Sequence, residues 1–230
     1  MTIKINIFKV IISLVLFESF LINKSSAFFP QINEPNQQEL KSTAKQIEKT
    51  AIQLIELNQN EEAIRLLRLA VKLNPKEISL WISLAEAQYR IDKNYEALES
   101  LTKATESGSN EPSIYFRKAS IYMNLNDPNK AKILINKGLS INKNDERGYF
   151  QLGNAEIMLN NYTSALVAFK KSSKINSNFW QSINNEGLIL YELNNYKKAI
   201  IKFKSAIKIS NDPEPMLALA IVLYSSNNKS

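Results

Sequence analysis

The chain contains neither cysteine nor histidine, so its chemistry is confined to carboxylates, amides, hydroxyls, lysines and arginines. Disulfides, thiol nucleophiles, thiolate metal sites and imidazole acid–base catalysis are excluded outright. Adjacent carboxylates such as Glu61-Glu62 sit on the polar side of an amphipathic stretch, where solvation accounts for them. No glycine-rich phosphate loop and no metal-ligand spacing occurs. The expectation is a binding protein with no catalytic residue, no metal and no cofactor.

The formal charge of +7 is modest, and beyond Ala27 it falls to about +5, with 26 basic against 21 acidic residues. Lysines are spread along the chain, the pattern of solvated helix faces, without the clustered basic stripe and interleaved aromatics of a nucleic-acid binder. No nucleic-acid partner is expected. Abundant Asn, Lys and Ile fit an AT-rich bacterial genome.

Residues 1–27 read as a signal peptide. Lys4 and Lys9 supply the positive start, Val10 to Phe17 the apolar run, and Ser25-Ser26-Ala27 the small residues before a cut at Phe28. The run falls short of the about 20 apolar residues that span a bilayer. The alternative is an uncleaved anchor over 5–22, retained despite Lys9 and Glu18, and it would be the one membrane contact. Either way the expected compartment is exported: the periplasm or a thylakoid-lumen-like space. Residues 28–43, with Pro30 and Pro35, read as a linker leading into the first helix.

What must position any binding residues is a strict 34-residue period. Ala63, Ala97, Ala131, Ala165 and Ala199 are spaced by 34 without a gap. Seven residues after each comes a small residue (Ala70, Ala104, Gly138, Ser172, Ala206), and twelve before each another (Ala51, Ala85, Ala119, Gly153, Gly187). Four residues after each alanine stands a large apolar one: Leu67, Leu101, Ile135, Phe169 and Phe203. Apolar spacing of three and four predicts two amphipathic helices per unit, separated by polar turns such as Asn58-Gln59-Asn60 and Asn160-Asn161. Small residues let paired helices approach near the lower end of the roughly 8–10 Å range, and stacking of neighbours buries what one unit alone cannot.

These columns resemble the tetratricopeptide repeat (TPR) family. Trp81, Leu84, Ala85, Ala97, Leu101 and Ala104 stand at the family positions in the second unit, and Tyr149, Leu152, Gly153, Ala165 and Phe169 in the fourth. Asn74-Pro75 closes the first unit. The later closing prolines are absent, and Lys118 and Glu186 replace the first-helix leucine. The resemblance implies an all-α, right-handed helical-repeat solenoid of five units at 44–77, 78–111, 112–145, 146–179 and 180–213, plus a C-terminal helix at 214–226.

It also implies a concave face, lined by first helices, that takes a protein or peptide segment. Family positions carried over are Ile52 and Ile55; Ile82, Glu86 and Tyr89; Phe116, Ser120 and Met123; Phe150, Asn154 and Ile157; and Asn184, Leu188 and Tyr191. Half of the apolar ones are expected to pack the helices together instead. Asn154 and Asn185 match the asparagines with which some relatives clamp a terminal carboxylate. The supporting cation positions hold Phe150, Pro215 and Leu219, so no clamp is expected. Arg117 and Arg147 remain available for an acidic ligand.

Met216 to Tyr224 is apolar nearly all round, and a homodimer through this helix is one expectation. The functional expectation is a non-enzymatic interaction scaffold outside the cytoplasm. The alternatives are an assembly factor for a membrane complex, photosynthetic ones included, or a structural subunit of an envelope complex.

Overall fold

In the computed structural model, residues 36–227 are described; they form eleven helices and, among the described residues, no strand. The leader assigned to residues 1–27 lies outside them. The chain divides into two compact units at Lys93/Asn94, so the helices of the second repeat fall in different units.

The first unit holds α1 (Gln37–Glu56), α2 (Asn60–Leu73) and α3 (Ile78–Tyr89). Helix α1 starts ahead of position 44, inside the segment read as linker. The cause is a capping box: Asn36 Oδ1 accepts from the Glu39 backbone N–H at 2.9 Å, and Glu39 Oε2 accepts from the Asn36 N–H at 3.1 Å. Two otherwise orphaned donors are satisfied together, which stabilises a helix start at Gln37. Ala51, Ala63, Leu67 and Ala70 are buried where α1 meets α2, and Leu80, Leu84 and Ala87 of α3 join that core. Trp81 packs against its edge and donates Nε1–H to the Pro75 carbonyl at 2.8 Å, fastening the closing turn of repeat one.

The second unit runs through α4 (Asn94–Glu106), α5 (Pro112–Asn124), α6 (Pro128–Ile141), α7 (Glu146–Met158), α8 (Tyr162–Ile175), α9 (Trp180–Glu192), α10 (Tyr196–Ile209) and α11 (Pro213–Asn227). Consecutive helices of this unit pack on one another. Ala97, Ala131, Ala165, Ala199 and the large residues Ile135, Phe169 and Phe203 are fully buried.

Every intra-repeat turn has the same geometry. Asn58, Asp92, Asn126, Asn160 and Asn194 all adopt φ of 57–59°, the left-handed conformation that Asn and Asp tolerate best after glycine. In each, the next residue's N–H reaches back to the helix, as in Asn161 N to Glu156 O at 2.8 Å and Asn195 N to Leu190 O at 2.7 Å. This is the Schellman closure.

Glu186, in place of the family leucine, is fully buried and ion-paired through Oε2 to Lys202 Nζ at 2.6 Å, while Ser173 donates to its Oε1. Glu156, also buried, pairs with Lys132 at 2.8 Å. Lys118, the other departure, reaches Thr102 Oγ1 at 3.1 Å, and burial, then the charge of Lys137, pushes its ammonium below the usual lysine range. Each departure thus has a polar partner within the fold.

Candidate peptide-binding face

In the second unit the first helices α5, α7 and α9 lie in sequence along one face. A polar seam joins them. Gln151 donates Nε2–H to Ser120 Oγ at 2.8 Å, and Asn185 donates Nδ2–H to Asn154 Oδ1 at 3.4 Å. Both members of the second pair stand one full period beyond those of the first, so the seam repeats with the fold. Gln151 Oε1 is buried and accepts no hydrogen bond. Such an orphaned acceptor carries a desolvation cost of about 1–3 kcal/mol.

Sequence reasoning placed Ser120, Asn154 and Asn185 here but missed Gln151. The signal was available: Gln151 occupies the position of Asn185 one repeat earlier, and Arg117 the same position one repeat before that.

The apolar groove positions separate by depth. Phe116 was expected in the groove, but it is buried in the core of the third repeat. Its ring takes the space left by two glycines, for a Cβ on Gly138 or Gly148 would come within 2.5 and 2.6 Å of it. One repeat later those positions are Ser172 and Ser182, whose hydroxyls meet at 2.6 Å. Ser172 donates to the Glu146 carbonyl at 2.7 Å, so Ser182 is the donor between them. With that space filled by a hydroxyl pair, Phe150 stays only half-buried, its ring against Phe169 and Phe179 with centroids 5.7 and 5.1 Å away.

In the fifth repeat Asn184 is fully buried and donates Nδ2–H to Glu214 Oε1 at 2.8 Å, tying α9 to the start of α11. It therefore serves packing and is not displayed to a ligand. Met123, Ile157 and Tyr191 are half-buried and Leu188 is exposed, leaving a row of partly accessible apolar side chains beside the amide seam. Tyr191 shares a hydrogen bond of 3.1 Å with Ser225 and packs on Tyr196. Arg117 and Arg147 are exposed.

In the first unit Ile52 is 42% exposed, whereas Ile55 points into the core. Ile82, Glu86 and Tyr89 are half-buried. Arg90 binds Glu86 at 2.9 Å, and Ser83 donates to Glu48 at 3.1 Å across α1 and α3. Burial, then the charges of Glu86 and Asp92, raises the Tyr89 hydroxyl above its ordinary value, so it remains a neutral donor. This stretch is acidic where the corresponding face of the second unit is amide-rich.

At the other end, α11 exposes Leu217, Ile221 and Tyr224 at 64, 49 and 73%. Their counterparts one repeat earlier are Ile183, Gly187 and Leu190, which are buried because α10 covers them. The apolar side of α11 is thus the side on which a second helix packs in the preceding repeats.

Identically closed helix pairs, a small-residue seam and a face of amides flanked by apolar side chains define a helical-repeat interaction scaffold. The tetratricopeptide repeat profile matches residues 54–77, 112–145 and 181–213, so these stretches are tetratricopeptide repeats. Solved structures share the fold. A PilF structure from Pseudomonas aeruginosa matches at TM-score 0.71 with 15% identity, over 84% of this chain and 87% of that one. YrrB, described as a TPR protein with an unusual peptide-binding site, matches at 0.60 with 19% identity, over 81 and 98%. MamA from Desulfovibrio magneticus RS-1 matches at 0.63 with 16% identity, over 72 and 94%. At these identities the likeness is one of fold alone. No curated protein sequence matches the chain.

Proposed function

We propose that the face formed by α5, α7 and α9 binds an extended segment of another protein, and that this scaffold works outside the cytoplasm without catalysis of its own. The observation that carries this reading is the repeating amide seam, Ser120–Gln151 and Asn154–Asn185. Primary amides offer both donors and acceptors, which suits main-chain N–H and C=O groups irrespective of the ligand's side chains. Phe150, Met123, Ile157 and Leu188 then supply apolar anchors beside it. The peptide-binding site named for YrrB is in keeping with this use of the fold.

The test is a photoreactive residue at Asn154, read by adduct formation in the envelope fraction and compared with the same residue at Thr163 on the second helix. Adducts at Asn154 that vanish in the Gln151→Leu, Asn185→Leu variant support the seam. Adducts equally abundant at Thr163 overturn it. The identity of the adduct separates the roles: immature subunits of a membrane complex mark an assembly factor, and one stoichiometric partner marks a structural subunit. Recovery of the protein in the cytoplasm would overturn the exported location, which rests on residues 1–27.

A second contact is favoured by the exposed apolar side of α11. Leu217, Ile221 and Tyr224 lie where a helix packs in the preceding repeat, and a second copy of α11 offers the same uncharged surface for a symmetric dimer.

A further inference from the structure

The second helices of repeats three to five carry a charge pattern that the peptide-binding face does not use. Helices α6, α8 and α10 together hold eleven lysines and neither aspartate nor glutamate. Helix α4, the second helix of repeat two, holds three glutamates and one lysine, so the pattern belongs to the later repeats and is no general property of the chain. Three of the eleven are tied to carboxylates: Lys130 to Asp127, Lys132 to Glu156 and Lys202 to Glu186. Lys137 and Lys171 lie over the rings of Tyr115 and Tyr149, which leaves their charge in place. Lys170, Lys174, Lys204 and Lys208 are exposed and form no ion pair among the described residues.

Between these lysines runs a second column. Ile133, Val167 and Ile201, spaced by 34, are 68, 68 and 60% exposed. The corresponding residues of the first two repeats are Arg65 and Glu99. A β-branched aliphatic side chain held in water three times over, at the same place on three helices, lacks the structural use that buried columns have. Between α8 and α10 lies a cleft of about 450 Å³ lined by Leu166, Leu190, Leu193 and Ile201 together with Lys170 and Lys198. Apolar walls with cations beside them suit a group that is anionic at one end and hydrocarbon at the other.

We infer that the outer face formed by α6, α8 and α10 docks on the surface of an anionic lipid bilayer. The lysines meet the lipid phosphates, and the Ile133–Val167–Ile201 column enters the boundary between headgroups and acyl chains. Long lysine stems accommodate this, since they cover apolar surface while the ammonium stays in the headgroup layer. A nucleic acid fits the face less well, because it would leave the aliphatic column against phosphate and sugar. The three helices also have no arginine and no exposed aromatic ring for base stacking. No helix among the described residues is long and apolar enough to cross a membrane, and surface docking needs none. This contact is separate from any anchor at residues 5–22, and it leaves the α5–α7–α9 face free for a protein ligand.

The test is co-sedimentation of the full chain with phosphatidylcholine vesicles, with and without phosphatidylglycerol. Two charge-reversed variants are compared: Lys170→Glu, Lys174→Glu, Lys204→Glu, Lys208→Glu on the proposed face, and Lys41→Glu, Lys45→Glu, Lys49→Glu on α1. Both retain residues 1–35, so binding through that segment is common to all samples. A lysine near an anionic surface contributes about fivefold in binding, so the fourfold reversal should weaken attachment to phosphatidylglycerol vesicles by more than about 100-fold. The α1 variant should keep most of it. Replacing Ile133, Val167 and Ile201 by serine should weaken binding while leaving its salt dependence intact. Equal binding to both vesicle types, binding undiminished by the fourfold reversal, or equal loss in the α1 variant would each overturn the inference. So would tighter binding to a duplex DNA oligonucleotide than to the anionic vesicles at the same salt.

Discussion

The ring of Phe169 lies where a side chain on Gly153 would begin: a Cβ built there would stand 2.5 Å from Cε1. Gly187 and Phe203 repeat the relationship at 2.6 Å. In the third repeat the same two columns hold Ala119 and Ile135, both fully buried. The facing helices therefore exchange volume: where the large residue is a phenyl ring, its small partner is glycine, and where it is aliphatic, alanine fits.

Gly153→Ala should destabilise the protein, since Phe169 is fully buried with nowhere to move. The helix-propensity gain of about 1 kcal/mol is outweighed by overpacking of about 1–3 kcal/mol. Adding Phe169→Ile restores the Ala–Ile combination of the third repeat. Urea unfolding of the two single variants and the double variant gives the coupling. Additive effects would show that the columns do not compensate each other.

Lys202 and Glu186 offer a charge test in the same unit. Lys202→Met strands a fully buried carboxylate, and the loss should lie toward the lower end of about 3–5 kcal/mol, because Lys202 itself reaches solvent. Glu186→Leu, which supplies the family residue, should be neutral or stabilising by up to about 4 kcal/mol. Thermal melts of both decide it. A Glu186→Leu variant as damaged as Lys202→Met would mean that the ion pair, not apolar packing, suits this site.

Lys118 provides the pH-dependent case. Burial, followed by Lys137, depresses its folded-state pKa below the unfolded value. The unfolded chain then holds the proton more tightly, so the charged form opposes folding below the folded pKa. That opposition fades as pH rises through the folded pKa toward the ordinary 10.5. Lys118→Leu should therefore raise the melting temperature at neutral pH, and its advantage over the parent should narrow in alkaline buffer. An advantage independent of pH would assign the gain to packing alone.

Leu217→Glu with Tyr224→Glu should leave helix content unchanged, because both side chains are exposed. If α11 pairs with a second copy, light scattering gives a dimer for the parent and a monomer for the variant. A parent that is monomeric at high concentration would remove the dimer.

The repeat itself was legible because its determinants are local volumes at fixed spacing. An alanine recurring once per period, a large residue one helical turn further on and Asn or Asp in the turns imply two helices, their close approach and their stacking. The candidate face was legible only in direction. Phe116 and Phe150 occupy equivalent columns, yet one is buried and the other half-exposed, because Gly138 and Gly148 leave room for a ring where Ser172 and Ser182 fill it with a hydrogen bond.

The lysine face shows the same division. Its residues are plain in the sequence, but the even spread of lysines along the chain conceals that the acidic residues of repeats three to five avoid the second helices. By itself the sequence determined the period, the helix pairs and the family, since these depend on side-chain size at short range. Only the tertiary structure decided which charges are buried in pairs, which amides meet across helices and which apolar columns face water, because those outcomes depend on what neighbouring repeats place opposite each residue.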